Sequence, residues 1–514
     1  MYHINVTEYL DENINDFSDS IAVIEADKRI TFSNLFSLSK ELSIQISKRL
    51  NGQTNKIVAI LLPKGINSVI ANLAVMYSGN AYMNLDTKNP KDRLNLIIAQ
   101  VKPELIISEV KYNYDLKDNN KWFNCFERLN DYECPFKDNI TEPDKNDNSD
   151  YRSCLIDTDP CCVINTSGST GVPKAVILNH RSFIDFIEAV KKTGFISRNE
   201  VIGSLSPTVF DIYSFELCML MAWGATMVVI PDSYAAFPAK LLQLMSDNKV
   251  SYAFWVPTIM VNIANMKLLD SIELPYLRMV WFAGEVFPTA KFNYWRKKLS
   301  QCRFVNFYGP IEITLDCLYH EIVEALSDDE PIPIGKPFRN TSVFLLDEEN
   351  KPAKTGEEGE LYIRGSSLAM GYLNNEVKTN AAFIQNPLNS SYPELVYKTG
   401  DIAILNENGD YIFKGRKDTL IKRLGYRIEL SEIEHVLVDR LKIVKNCCVL
   451  YSVETKDLIL VYEAEEELSL GALKKAMGSL LPKYMIPTKA YFLSQLPRNQ
   501  NGKIDRNLLK EKYI

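Results

Sequence analysis

Between residues 57 and 110 the runs "IVAILL", "INSVIANLAVMY", "AYMNL" and "ELIIS" follow one another with little between them. Short strand-like runs separated by a helical stretch pack as βαβ units on a mostly parallel sheet. The rhythm resumes at "CCVIN", "VIGSL", "ATMVVI", "YAFWV", "LRMVWFAG" and "RFVNFYG", with "PAKLLQLMSDNK" and "TAKFNYWRKKL" as helices between them. The pattern predicts an α/β fold of αβ-layered subdomains. A polar stretch from Lys111 to Asp150 reads as irregular surface. From Pro331 the texture changes to short β segments with Gly turns, which predicts a β-rich subdomain. After Asp418 follows a small α+β module. A chain of 514 residues exceeds one hydrophobic core. Two domains are expected, 1–417 and 418–514.

Bulk properties remove several classes of function. A hydrophobic content of 46% with 24% charged residues is that of a globular protein. The net charge of −7 argues against broad nucleic-acid binding. Apolar runs such as "VIANLAVMY" are too short to cross a bilayer, and the N-terminus lacks a basic segment followed by an apolar one. No membrane partner and no signal peptide are expected. The ten cysteines include the pairs Cys161–Cys162 and Cys447–Cys448 but no CxxC, which suits reduced thiols in a cytoplasmic protein. The four histidines, His3, His180, His320 and His435, show no metal-ligand spacing, so histidine-based catalysis has little raw material.

The run "NTSGSTGVPKAV", Asn165 to Val176, carries chemistry of another kind. Gly168 and Gly171 let the backbone approach an anion, Ser167, Ser169 and Thr170 add hydroxyl donors, and Lys174 adds charge. The usual phosphate loop has Lys directly after Gly, whereas here Val172 and Pro173 intervene. Taken alone, a flexible Ser/Gly turn and a phosphate cradle account for it equally well.

Further runs give it a context: "LPKGINSV", "SGNAYMNLDTKNPKDR", "NFYGPIEIT", "YKTGDIA", "FKGRKDTLIKRLGYRIELSEIE", "LPKYMIP" and "NQNGKIDR". In this order and spacing they resemble the adenylate-forming ligase superfamily over nearly the whole chain. The nearest likeness is to stand-alone adenylation domains of nonribosomal peptide synthesis and to D-alanine–carrier protein ligases. The resemblance implies a large N-terminal domain and a small mobile C-terminal domain. It implies ATP-dependent activation of a carboxylate as an acyl-adenylate, then capture by a phosphopantetheine thiol. Such chemistry needs positioning and charge neutralisation more than covalent help, which suits a site without catalytic histidine.

Carried over by position, the resemblance places Thr166, Ser167, Gly168, Ser169, Thr170, Gly171 and Lys174 at the ATP phosphates. It gives Asn306 the adenine amino group and Tyr308 its face, with Phe307, Gly309, Gly284 and Glu285 alongside. Glu312 would bind Mg²⁺, Asp401 the ribose hydroxyls with Arg416 nearby, and Asp418 would be the hinge. Lys503, Glu312 and Thr170 are the implied catalytic residues, with Lys503 reaching the carboxylate and α-phosphate. Departures from the family pattern are Ile311 for Thr, Ala175 for Gly, Leu420 for Gln and Leu424 for Arg.

In "PTVFDIYSFEL", Asp211 stands where amino-acid-activating members keep a carboxylate for the α-ammonium. A buried Asp needs a cation, and an α-amino acid supplies one; the competing account is a helix N-cap before "IYSFEL". The other matched pocket positions are Ile212, Phe215, Phe254, Trp281, Ala283, Phe307, Leu315 and Asp316. Three Phe and a Trp imply a small side chain, while Asp316 suggests a serine-like or short diamino acid unless it faces solvent or pairs with a lysine. "AGEVFP" keeps alanine of either hand open. No carrier segment follows "GKIDR", so a separate carrier protein with a phosphopantetheine arm is expected as partner. An acyl- or aryl-CoA synthetase and a catalytically silent nucleotide-binding homologue are the alternatives.

Overall fold

The computed structural model describes residues 2–109, 122–123, 151–166, 173–417, 420–498 and 504–514. Most of the polar stretch 111–150 lies outside them. The chain divides into two compact units, one of residues 1–87, 103–164 and 176–415, the other of 88–102, 165–175 and 416–514.

Among the described residues, the larger unit carries a nine-stranded sheet, a seven-stranded sheet and a five-stranded sheet. The nine-stranded sheet is parallel through its centre: Val201–Ser204 pairs with Thr226–Val229 and Tyr252–Trp255, which pairs with Met279–Ala283 and then Arg303–Tyr308. Antiparallel strands close both edges, Lys28–Thr31 at one and Leu318–Glu321 with Lys336–Pro337 at the other. In the seven-stranded sheet Ile57–Leu61 lies between Ala81–Asn84 and Leu105–Ser108, all parallel, as the βαβ rhythm predicts. The expected β-rich segment is the five-stranded antiparallel sheet built on Glu358–Gly365 and Leu395–Leu405.

The helices that matter for the site are buried by sequence design. Ile66–Tyr77 is mainly apolar and every residue but Asn67 is buried, as in a helix enclosed by protein. Asp211–Trp223 is likewise buried from Ile212 onwards and ends at Gly224, with φ +65 and the Phe17 ring against it. A Cβ at Gly224 would lie 2.4 Å from that ring. The smaller unit holds the hairpin Leu420–Arg423/Tyr426–Glu429 and a three-stranded sheet, with a core of its own around Ile428, Ile433, Leu460 and Met477. Within it the Arg93 guanidinium donates to Glu432 at 2.7 Å, with side-chain exposures of 6% and 0%.

His180 ties down the start of the chain. It opens the helix His180–Thr193, whose N-cap Asn179 accepts from Ser182 at 2.9 Å. The ring is buried, Val6 N–H donates to Nδ1 at 3.3 Å, and the Asn5 amide meets Nε2 at 3.2 Å. Burial pushes its pKa down from 6.5 to about 4, so the neutral ring belongs to the folded state. The unfolded chain binds the extra proton between those values, and stability present above pH 6.5 is lost as pH falls towards 4. We expect unfolding free energy to drop by about 3 kcal/mol over that window. Denaturant titration of wild type against His180→Asn checks this: the variant should lose most of that pH dependence.

Candidate functional site

Three parallel strands end side by side in the larger unit, and their register builds the aromatic centre of the site. Phe254 pairs across the ladder with Trp281, and Ala283 with Phe307. Helix Asp211–Trp223 adds Phe215, whose ring stacks on Trp281 at 5.5 Å and 8°. Trp281 and Phe307 lie 4.1 Å apart, and Phe254 meets Trp281 edge-on at 5.6 Å. All four rings are at most 2% exposed. The Trp281 Nε1 and the Tyr252 hydroxyl have no hydrogen-bond partner among the described residues although both are buried.

Asp211 is the first residue of its helix, and the N-cap is Phe210, with φ −102 and ψ 153. The N-cap account of Asp211 therefore fails. Its Oδ1 accepts from the Ile212 amide at 2.9 Å, and it is half-buried. Phe215 is four residues on, so the carboxylate stands one turn above the ring on the same helix face. Ile212, next to it in sequence, is buried, as are Ala283 and Leu315.

The segment 309–317 folds back on itself between Arg303–Tyr308 and Leu318–Glu321. Cys317 N–H donates to the Tyr308 carbonyl at 2.8 Å, and Tyr308 pairs with Leu318. To close so tightly, Thr314 and Leu315 take φ +56 and +66, left-handed values that branched and bulky residues rarely adopt. Gly309 is required by the same turn, since a Cβ there would lie 2.2 Å from the Leu315 carbonyl oxygen and 2.5 Å from the Asp316 Cα. The fold-back buries Glu312 completely and leaves Asp316 only 6% exposed, so the solvent-facing alternative for Asp316 is excluded. Ile311, where the family pattern has Thr, is buried as well.

Partners from distant segments fix these side chains. Tyr372 donates to Glu312 at 2.7 Å, and Tyr308 donates through its hydroxyl to Asp401. The Asp401 amide donates to the Thr399 hydroxyl at 2.9 Å, and that hydroxyl donates to the Leu361 carbonyl at 2.7 Å. Asn306 gives its amide N–H to the Pro333 carbonyl at 2.7 Å, which orients its side-chain oxygen as the remaining acceptor. Gly284 has φ +90, and Glu285 next to it accepts from the Thr258 amide at 3.1 Å and from the Thr258 hydroxyl. On helix Asp211–Trp223, Glu216 accepts from Ser204 Oγ at 2.6 Å, while Lys64 donates to the Ser204 and Ser206 carbonyls at 2.9 and 3.2 Å. Burial pushes Glu216 up to about 7 against the opposing charge of Lys64.

The structure thus brings together Asp211, Phe215, Phe254, Trp281 and Phe307, and separately Tyr308 with Asp401. In the smaller unit, Lys174 opens the strand Lys174–Asn179 and its Nζ is 3.8 Å from Glu429. Thr166 ends the strand Pro160–Thr166, and Arg416 ends Tyr411–Arg416. Ser167, Gly168, Ser169, Thr170, Gly171, Asp418 and Lys503 lie outside the described residues. Sequence reasoning missed Thr258, Pro333 and Tyr372, which stand in no motif and are recognisable only by what they touch. Among the described residues no group of three His, Cys, Asp or Glu could hold a metal. Glu312 as a single carboxylate suits a hard cation that takes its remaining oxygens from phosphates and water.

Residues 10–373 match the family described as AMP-binding enzyme. The chain is 30% identical to zwittermicin A synthase ZmaJ of Bacillus cereus, over 98% of this chain and 94% of that protein. It is 28% identical to tyrocidine synthase 1 of Brevibacillus parabrevis, over 99% of this chain but 45% of that one. The solved structure of the Vibrio cholerae adenylation domain AlmE in complex with glycyl-adenosine-5′-phosphate superposes with a TM-score of 0.82 at 21% identity, covering 100% of this chain and 98% of that one. The chain belongs to the AMP-binding enzyme family. It is an AMP-forming ligase with the adenylation-domain fold of nonribosomal peptide synthetases. No helix among the described residues is long and apolar enough to cross a membrane.

Gly309→Ala tests the fold-back. Its methyl would meet backbone first, at the Leu315 carbonyl oxygen and the Asp316 Cα, with Ile313 Cδ1 at 3.0 Å beyond them, so we expect a loss of about 3 kcal/mol in denaturant unfolding. Adenylate formation should fall with it, because Glu312 and Asp316 ride on the displaced turn.

Proposed function

We propose that this chain activates a small α-amino acid as its aminoacyl-adenylate and passes it to the phosphopantetheine thiol of a carrier protein. One observation carries the reading: Asp211 stands one helical turn above Phe215, which is stacked into the closed group of Trp281, Phe254 and Phe307. A carboxylate at that place suits an α-ammonium, and the packed rings beyond it leave room for little more than a hydrogen, a methyl or a hydroxymethyl group.

In the first step an oxygen of the amino acid carboxylate attacks the α-phosphorus of ATP. The bond from that phosphorus to the bridging oxygen breaks, and pyrophosphate leaves. In the second, the thiolate sulfur attacks the acyl carbon and AMP leaves. Asn306, with its free acceptor, suits the adenine amino group, and the Tyr308–Asp401 pair suits the ring face and the ribose hydroxyls. Bound Mg²⁺ would neutralise phosphate charge, and Glu312, braced by Tyr372, is the residue to hold it. Lys503 we assign to the carboxylate and α-phosphate, and Ser167 to Lys174 to the departing pyrophosphate.

ATP–pyrophosphate exchange across the twenty amino acids, D-alanine, short hydroxy- and diamino acids and plain carboxylic acids tests this. Exchange with glycine, alanine, serine or a short diamino acid is the expected result, and exchange confined to acids lacking an amino group would overturn it. Asp211→Asn should lower kcat/KM by about a hundredfold or more, as loss of one partner of a desolvated ion pair does. Trp281→Leu should admit a larger amino acid at the expense of the native one.

A further inference from the structure

The smaller unit contains a cavity of about 620 Å³ that uses none of the residues assigned to the reaction above. Four cations line it, Lys88, Arg423, Lys474 and Lys483, and its lining includes no carboxylate. In a chain of net charge −7 that is a local inversion of sign. The apolar side chains of Leu481 and Ile486 complete the wall.

Arg423 makes this a built site. It ends the strand Leu420–Arg423 and is half-buried, with Nε donating to the Lys456 carbonyl at 2.9 Å and Nη1 to the Tyr484 carbonyl at 2.6 Å. Burial pulls its pKa down from the ordinary value, so the cation is held against a desolvation cost. Asp457, the carboxylate whose charge acts on it, is engaged elsewhere: Lys489 pairs with it at 2.7 Å and the Thr488 hydroxyl donates to it at 2.8 Å. Among the described residues, Arg423, Lys474 and Lys483 have no carboxylate partner. Like charges gathered around one concavity repel, and a bound anion removes that repulsion. A guanidinium with its fork already fixed, flanked by the exposed ammonium groups of Lys474 and Lys483, is suited to phosphate oxygens.

We propose that this cavity binds a phosphate-bearing ligand, with Arg423 as its fixed anchor, Lys474 and Lys483 as neutralising arms, and Leu481 and Ile486 against the ligand's apolar part. The volume exceeds what a bare phosphate needs and suits a phosphate attached to a short organic arm.

Calorimetric titration of the full chain with 4′-phosphopantetheine, with pantetheine and with pyrophosphate tests this, on wild type and on Lys474→Glu/Lys483→Glu. Both positions are exposed, so the double variant should fold. We expect saturable binding of 4′-phosphopantetheine that weakens about tenfold or more without the phosphate, in the variant, or at high salt. Pyrophosphate binding that the variant weakens equally would mark a site for phosphate alone; binding of 4′-phosphopantetheine only would mark one that also reads the arm. Either sustains the proposal. Equal affinity for 4′-phosphopantetheine in wild type and variant, or no saturable binding of either phosphate probe that the variant weakens, overturns it. Amino-acid-dependent exchange should be unchanged within about twofold in the variant. Absence of exchange in wild type would count against the proposed reaction and leave the titration readable.

Discussion

The backbone ladder joining Tyr252–Trp255, Met279–Ala283 and Arg303–Tyr308 sets Phe254 opposite Trp281 and Ala283 opposite Phe307. Side chains alternate along a strand, so a slip of one residue would turn every ring of the site to the opposite face. The register is secured on that opposite face by a second apolar core, in which Ala253, Val280, Phe282 and Phe304 pack with Leu241, Phe292 and Trp295. Both faces of these strands are buried, as in parallel sheets covered by helices. The aromatic centre is therefore as stable as the sheet itself, and helix Asp211–Trp223 needs only to lay Phe215 on Trp281 to bring Asp211 into place.

The turn 309–317 depends on that ladder in its turn. It leaves the sheet at Tyr308 and returns at Leu318, the residue opposite. Within that constraint the chain accepts two left-handed residues that are not glycine, and places glycine where the backbone approaches itself at 309. Strain of this kind costs of the order of 1–3 kcal/mol per residue and persists where the surroundings over-determine it. Here the surroundings are the sheet edge and the hydrogen bond from Tyr372 to Glu312.

Much of this was legible in the sequence, for identifiable reasons. The alternation over 57–110 located parallel strands because strand and helix periods differ, and runs such as "YAFWV" and "LRMVWFAG" marked further strands, whereas the aromatic pocket positions came only from the family resemblance. The burial of Asp316 was not legible, because a turn that closes through backbone bonds leaves no periodic trace. Nor was the start of the helix at Asp211: both accounts put an acidic residue in its first turn, and only backbone angles separate N-cap from first helical position. Tyr372 and Pro333 lie 60 and 27 residues from their partners, Glu312 and Asn306, and no local pattern announces such pairs.

Size and polarity at the centre of the site are carried by different residues. The rings of Phe215, Trp281 and Phe307 set the space, and their near-complete burial means that enlarging it requires removing one of them. Tyr252 lies two residues before Phe254 on the same strand face, one layer deeper, with its ring 5.2 Å from Trp281. Burial, with the charges of Glu216 and Asp316 added, drives its pKa upwards, so the hydroxyl keeps its proton. It and the Trp281 Nε1 are donors that the described residues leave unused. A buried unused donor costs about 1–3 kcal/mol, and the cost is recovered when an acceptor reaches it. Under the function proposed above, the polar layer favours a substrate or a water that offers an acceptor, while the rings above limit how large that substrate can be.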